Sequence, residues 1–226
     1  MPQALVPVLI SLRVAAAATL ITLLVGLYLA HLLTRKRIRF GTFWDTLIML
    51  PMVFPPSMTG YLLLLLLGRR GALGSLLSLF GVQIVFTWGA AVIAASLVSL
   101  PLMYQNCKVA LAGVDPAYLK AARTLGMDEG MIFRRIILPL AAPGILSGLA
   151  LSFARSLGEF GATLMVAGNL PGLTQTMPLA LFSAVEGGRT NEAQLYLLVT
   201  IALSFVVIFI VGHAHRQSRA YREKGR

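Results

Sequence analysis

The chain is poor in charge. Lysine, arginine, aspartate and glutamate make up 12% of its 226 residues, against about 25% in an average soluble domain. With 58% apolar residues and a mean hydropathy of +0.83, that deficit excludes an ordinary soluble fold and indicates a polytopic membrane protein. Cysteine is nearly absent. Cys107 stands alone, so no internal disulfide forms and the redox compartment is unmarked. Acidic residues number 8 against 19 basic ones. The net charge of +11 raises nucleic acid as a partner, but the basic residues cluster beside apolar segments, the positive-inside pattern, so no nucleic acid is expected. No Gly-x-x-x-x-Gly-Lys-Ser/Thr loop is present, so the chain is not expected to bind ATP itself. His213 and His215 in the basic tail and His31 near a membrane end lack a nearby carboxylate or cysteine, and no metal site is expected. No nucleophile, base and orienting group fall together, so neither catalysis nor a cofactor is expected. Repeats, low-complexity tracts and a soluble domain are also missing, and residues 1–226 read as a single transmembrane domain.

What is present is a series of apolar runs. Val8–Leu33 is long enough to span about 30 Å of hydrocarbon at about 1.5 Å per residue. Arg13 precedes its apolar run, with no basic n-region, and Thr34-Arg-Lys-Arg37 follows it. It therefore reads as a retained membrane helix rather than a cleaved signal. Phe43–Leu67 is the second span, and Pro51, Pro55, Pro56 and Gly60 require it to kink or break. Broken backbone must face other helices or a water-filled cavity, so this is either a packing helix or part of a pathway. Gly68–Gln83 reads as an external loop, Ile84–Ala110 as the third span, Leu140–Met165 as the fourth and Leu195–Val211 as the last. Met177–Val185 is too short to cross and reads as a re-entrant or interfacial helix. Five spans place the N-terminus outside and the C-terminus in the cytoplasm. The segments 34–40, 107–135 and 213–226, which hold 14 of the 19 basic residues, then all lie in the cytoplasm.

Between the third and fourth spans lies GVDPAYLKAARTLGMDEGMIFRRIILPL, residues 113–140. Asp115 is a good N-cap, Pro116 suits the first helical position, and Val114 with Leu119 forms a hydrophobic staple. Gly126 supplies the left-handed residue that closes the helix, with Lys120 and Arg123 in its last turns. The expected helix covers 116–125. Asp128 is expected to cap a second helix that runs into Pro139. Tyr118, Leu119 and Leu125 are apolar, and Ala121 with Ala122 leaves a shallow surface for another backbone. On capping alone, this is either a docking element or a connecting helix along the membrane surface.

The polar residues of the fourth span form a second cluster: Ser152, Arg155, Ser156, Gly158, Glu159, Gly161 and Thr163. Glu159 reads as the only acidic residue inside a span. Arg155 lies four residues earlier and shares its helical face. An intramembrane ion pair is a functional-site hypothesis by default, beside the alternative that the pair only pins helix packing. Gly158 and Gly161 permit close approach or local unwinding. Glu159 would repel an anion, so it is expected to hold Arg155 or a gate.

Ala121-Ala122-x-x-x-Gly126, nine residues, then Ile136-x-Leu138-Pro139 resembles the EAA loop of ABC-importer permeases. Lys120 stands where that family usually has glutamate. The resemblance implies a coupling helix docking on a separate ATPase subunit, through Asp115, Tyr118, Ala121, Ala122, Gly126, Ile136, Leu138 and Pro139. FARSLGEFGATLMVAGNLPGLTQTMPLALF and LPMVFPPSMTGYLLL followed by GRRG resemble the molybdate permease subunits of the oxyanion importers, with the tungstate and sulfate permeases close behind. That implies an all-α, five-span permease of type I ABC-importer (MetI-like) architecture in the bacterial inner membrane. It is expected to pair as a homodimer in membrane lipid, with two ATP-binding subunits and a periplasmic oxyanion-binding protein. The pathway or gate would use Arg155, Ser156, Gly158, Glu159, Gly161, Thr163, Pro55 and Pro56. The external Arg69, Arg70 and Arg189 are either anion attractors or ordinary interfacial charges. The competing classes are a polytopic membrane enzyme, which lacks its polar catalytic set, and a stand-alone channel, which has no use for a capped loop.

Overall fold

A computed structural model describes the backbone of residues 2–35 and 40–224, with the side chains of 5–34 and 40–209. The side chains of the basic segment 35–39 and of the tail from 213, His213 and His215 included, lie outside the described residues. The described residues are mostly helical, and no strand occurs among them. In order the helices are α1 (Pro2–Arg35), α2 (Gly41–Val53), α3 (Pro56–Leu67), α4 (Ala72–Ser78), α5 (Trp88–Ala112), α6 (Pro116–Thr124), α7 (Glu129–Ile132), α8 (Leu138–Leu157), α9 (Gly161–Ala167), α10 (Met177–Glu186) and α11 (Thr190–Lys224). A π turn, Phe133–Ile137, joins α7 to α8. Among the described residues, four stretches are long and apolar enough to cross a membrane: Leu5–Thr34, Trp88–Ala112, Glu129–Leu157 and Thr190–Phe209. The pair α2 and α3 makes a fifth crossing if counted as one, bent by 113°.

The bend follows from the sequence. A residue before proline is pushed out of the helical region, and Phe54 is extended at ψ 137. Pro55 is also extended, and Pro56 then occupies the first turn of α3, where its missing N–H costs nothing. Pro139 behaves differently. The expected helix stop does not occur, because the chain widens into the π turn just before it. Leu138 N–H reaches back five residues to the Phe133 carbonyl, and the rod continues from Glu129 to Leu157.

At the centre stands α5, which packs against α1 and α8. Small residues let α8 approach. A methyl on Gly144 would stand 2.6 Å from the Ala110 Cβ, and one on Gly148 would stand 2.7 Å from the Asn106 Cβ. One apolar core lies at the α1, α3, α5 and α9 contact, around Val14, Leu63, Ala94 and Val166. A second gathers Ala30, Tyr104, Cys107 and Ile137 with residues of α6 and α7. The expected external loop 68–83 contains α4, and the third helix begins at Trp88, capped by the Thr87 hydroxyl, rather than at Ile84. The short apolar helix expected at 177–185 forms as α10, and its first N–H, on Met177, is bound by Ser11 Oγ of α1 at 2.7 Å.

Candidate functional site

The fourth span is not continuous to Met165. It breaks at Gly158–Phe160, and Glu159 lies between helices rather than on one. The pairing with Arg155 survives this change of setting, with Arg155 Nη1 2.8 Å from Glu159 Oε2. The other oxygen, Oε1, accepts from the backbone N–H of Ala162 at 2.9 Å. Glu159 thus neutralises Arg155 in the last turn of α8 and binds a free donor at the start of α9, where negative charge suits the helix dipole. Its side chain is 2% exposed, while that of Arg155 is 34% exposed. An unpaired carboxylate so deep would be expensive, and both oxygens are occupied. Beside the break, Ser156 Oγ donates to Ser99 Oγ at 3.0 Å, and Ser99 Oγ donates to the Ala95 carbonyl at 2.7 Å. These hydroxyls fasten α8 to α5.

The two broken spans meet. A methyl on Gly161 would stand 2.7 Å from Pro56 Cβ, and one on Gly60 would stand 2.8 Å from Met165 Cβ and 3.0 Å from Ala162 Cα. The Pro55–Pro56 bend and the Gly158–Gly161 break, which sequence offered as separate features, therefore lie against each other. Pro55 and Pro56 are exposed, whereas Thr163 is buried with its hydroxyl unpartnered among the described residues.

Glu159 is not the only acidic residue within a span. Asp45 on α2 lies 2.6 Å from Lys108 Nζ of α5, and the Tyr104 hydroxyl donates to its other oxygen. This cluster ties the first half of the bent span to the central helix. The available signal was a pair of opposite charges in two otherwise apolar runs, 63 residues apart.

In the 113–140 loop the expected caps form. Asp115 Oδ1 accepts from Ala117 N–H at 2.8 Å, and Asp128 Oδ1 accepts from Gly130 and Met131 N–H at 2.8 and 2.9 Å. The helix ends at Thr124. Gly126, at φ 76, lets its own N–H reach the Arg123 carbonyl and Met127 N–H reach the Ala122 carbonyl, a Schellman closure. Arg123 does more than face the dipole. It bonds Glu129 across the corner at 2.7 Å, and that hydrogen bond raises its pKa above the ordinary arginine value. Val114 and Leu119 lie against the second core. So does Ala122, which corrects its place on the shallow outer surface: it is buried, and Ile136 and Leu138 are partly buried against the same core. The face turned away carries Tyr118, Ala121 and Leu125, with Tyr118 57% and Leu125 81% exposed.

Residues 22–219 match a family described as the binding-protein-dependent transport system inner membrane component. The chain belongs to this family. It is 43% identical to the molybdenum transport system permease protein ModB of Escherichia coli K12, over 94% of this chain and 93% of that one. It is 39% identical to YvgM of Bacillus subtilis, a putative molybdenum transport system permease protein, over 91% of each chain. The sulfate transport system permease protein CysT of Salmonella typhimurium is 32% identical over 93% of this chain and 76% of its own length. Among solved structures, an inward-facing MetNI methionine ABC transporter superposes over 96% of each chain with a TM-score of 0.73 at 16% identity. The family and that shared fold together give the chain the architecture of an ABC-importer permease.

Proposed function

We propose that this chain is the membrane subunit of an ABC importer for molybdate, with ATP hydrolysed on a separate subunit. The observation that carries the reading is the similarity to molybdenum permeases over nearly the whole chain. Sulfate is the second substrate to consider, because the sulfate permeases follow at lower identity. Two copies form the pathway, each on one ATPase subunit, and a periplasmic binding protein delivers the anion. The N-terminus lies outside and the C-terminus in the cytoplasm.

The geometry supports a coupling route. Tyr118, Ala121 and Leu125 form an apolar, exposed stripe on a helix held at both ends by caps, which suits a rigid docking surface. Asp115, Gly126 and the Arg123–Glu129 bond hold its shape, while Ala122, Ile136 and Leu138 fix it to the second core. The rod from Glu129 to Leu157 passes Pro139 and ends at the Gly158–Gly161 break, against Pro56. Displacement of the docking helix is therefore delivered directly to Arg155, Ser156 and Glu159, with Thr163 and Pro55 beside them as the remaining pathway or gate residues.

The test is reconstitution. Co-expressed ATPase should purify with this chain, and proteoliposomes holding the assembly and its binding protein should take up labelled molybdate only with ATP. Unlabelled tungstate and sulfate rank the specificity. Absence of a co-purifying ATPase, or uptake without ATP, refutes the importer reading.

A further inference from the structure

We propose that Arg155 is the residue that meets the transported oxyanion inside the membrane, and that Glu159 is its positioning partner. The proposal rests on the oxyanion-importer reading and assigns roles within it.

The two members of the pair stand in unequal positions. Glu159 is buried, with one oxygen on Arg155 and the other on Ala162 N–H. Nothing of its acceptor capacity faces outward. Arg155 donates through Nη1 alone, and a guanidinium carries five N–H donors. A third of its side chain is exposed, and no other partner for it occurs among the described residues. An exposed guanidinium on a membrane helix is costly against lipid, so this edge faces water or a second copy of the chain. Its planar fork matches two oxygens of a tetrahedral anion.

The neighbouring charges sharpen the assignment. Of the other cations within the candidate spans, Lys108 is occupied by Asp45, Arg13 lies in the first third of Leu5–Thr34, and Arg134 and Arg135 lie at the start of Glu129–Leu157. Arg69 and Arg70 lie in the α3–α4 connection and Arg189 just before α11. The counter-charge also has a purpose. A transport site must bind well enough to admit the ion and weakly enough to release it. A lone arginine in a low-dielectric setting would retain a dianion, and Glu159 offsets part of that attraction while fixing the guanidinium plane. The site sits where both broken spans meet, at the end of the rod that leads from the coupling loop.

The experiment separates this from a packing role by removing the need for neutralisation. In a Cys107→Ala background, Arg155→Cys is combined with Glu159→Gln. The chain is assembled with its ATPase and binding protein, and labelled molybdate uptake is measured. A thiol reagent bearing an ammonium group should raise uptake about tenfold, since charged hydrogen bonds are worth about that much or more. A reagent bearing a sulfonate should label the same cysteine without raising uptake, and molybdate should slow both labellings. Equal uptake after either reagent, or no labelling of assembled protein, overturns the proposal. If the double variant fails to assemble, Arg155→Lys decides. It keeps the charge opposite Glu159 and loses the fork, so uptake should fall about tenfold at normal protein level. Wild-type uptake by Arg155→Lys overturns the proposal too. Failure of the wild-type assembly to import any tetrahedral oxyanion refutes instead the importer reading on which it rests.

Discussion

Adding one methyl group where the broken spans cross is the most direct test of the architecture. On Gly60 the new Cβ would stand 2.8 Å from Met165 Cβ and 3.0 Å from Ala162 Cα; on Gly161 it would stand 2.7 Å from Pro56 Cβ. Carbon atoms attract best at about 3.5–4.0 Å, so α3 and α9 must separate by about 0.5–1 Å. Neither side yields easily, since Ala162 Cα is backbone and Pro56 is a ring. Overpacking of this kind costs about 1–3 kcal/mol. Gly60→Ala and Gly161→Ala should each lower the melting temperature of the purified protein and reduce uptake. One displacement relieves both clashes, so the double variant should cost less than the sum, by about 0.5 kcal/mol or more. Gly41→Ala is the control, because nothing lies within 4 Å of its new methyl. Wild-type melting of both single variants, or strict additivity in the double, would refute the close crossing.

Gly126→Val forces a β-branched residue to φ 76, at about 1–2 kcal/mol, whereas asparagine tolerates that region. Valine should therefore abolish ATPase co-purification while Gly126→Asn largely keeps it; equal retention argues against the closure as the docking determinant. Ala121→Glu should leave a folded chain that no longer binds its ATPase, and Ala122→Glu should lose folded protein, because only the second charge enters the core. If the two behave alike in a fluorescence size-exclusion assay, the assignment of faces fails. A cycle of Asp45→Ala, Lys108→Ala and the double variant, read by thermal unfolding, should give a coupling of about 0.5–3 kcal/mol, and none if the pair is idle. Single cysteines at residue 3 and residue 215 should react from outside and only from the cytoplasm, respectively, with the reverse pattern overturning the orientation.

The features legible in the sequence were those decided locally. Asp115, Asp128 and Gly126 act on backbone groups within three residues, and each took the expected place. The Pro55–Pro56 bend was legible because proline constrains its own and the preceding residue. Pro139 obeys the same constraint with the opposite outcome. A π turn precedes it, and the rod continues through it to Leu157. The break at Gly158 was legible only as permission. Gly-Glu-Phe-Gly fits an intact helix in close contact as well as an unwound one. What settles it is the carboxylate of Glu159 reaching forward to Ala162, since a helical Glu159 would present that group elsewhere. Asp45 stands in plain view within Phe43–Leu67; what the sequence hides is its partners, which lie on another span and are identified only once the helices are packed.

Ala122 differs from these, because the sequence held the answer. The staple puts Leu119 on the inward side of α6, and position 122 lies three residues on, over the same face. Tyr118, Ala121 and Leu125 form a stripe centred about 100° further round the helix, and that stripe is the one found exposed. Treating Ala121 and Ala122 as one small surface merges two directions about 100° apart on a helix. The distinction matters for function. A docking helix must grip two bodies, and α6 does so with its faces divided: Leu119 and Ala122 against its own second core, Tyr118, Ala121 and Leu125 outward. An inward residue can then abolish coupling by detaching the helix from α5 and the rod without touching the ATPase. Loss of transport alone cannot distinguish the two faces. ATPase retention can, because a chain detached on its inner side but intact on its outer stripe still binds the partner and fails to move the break at Glu159.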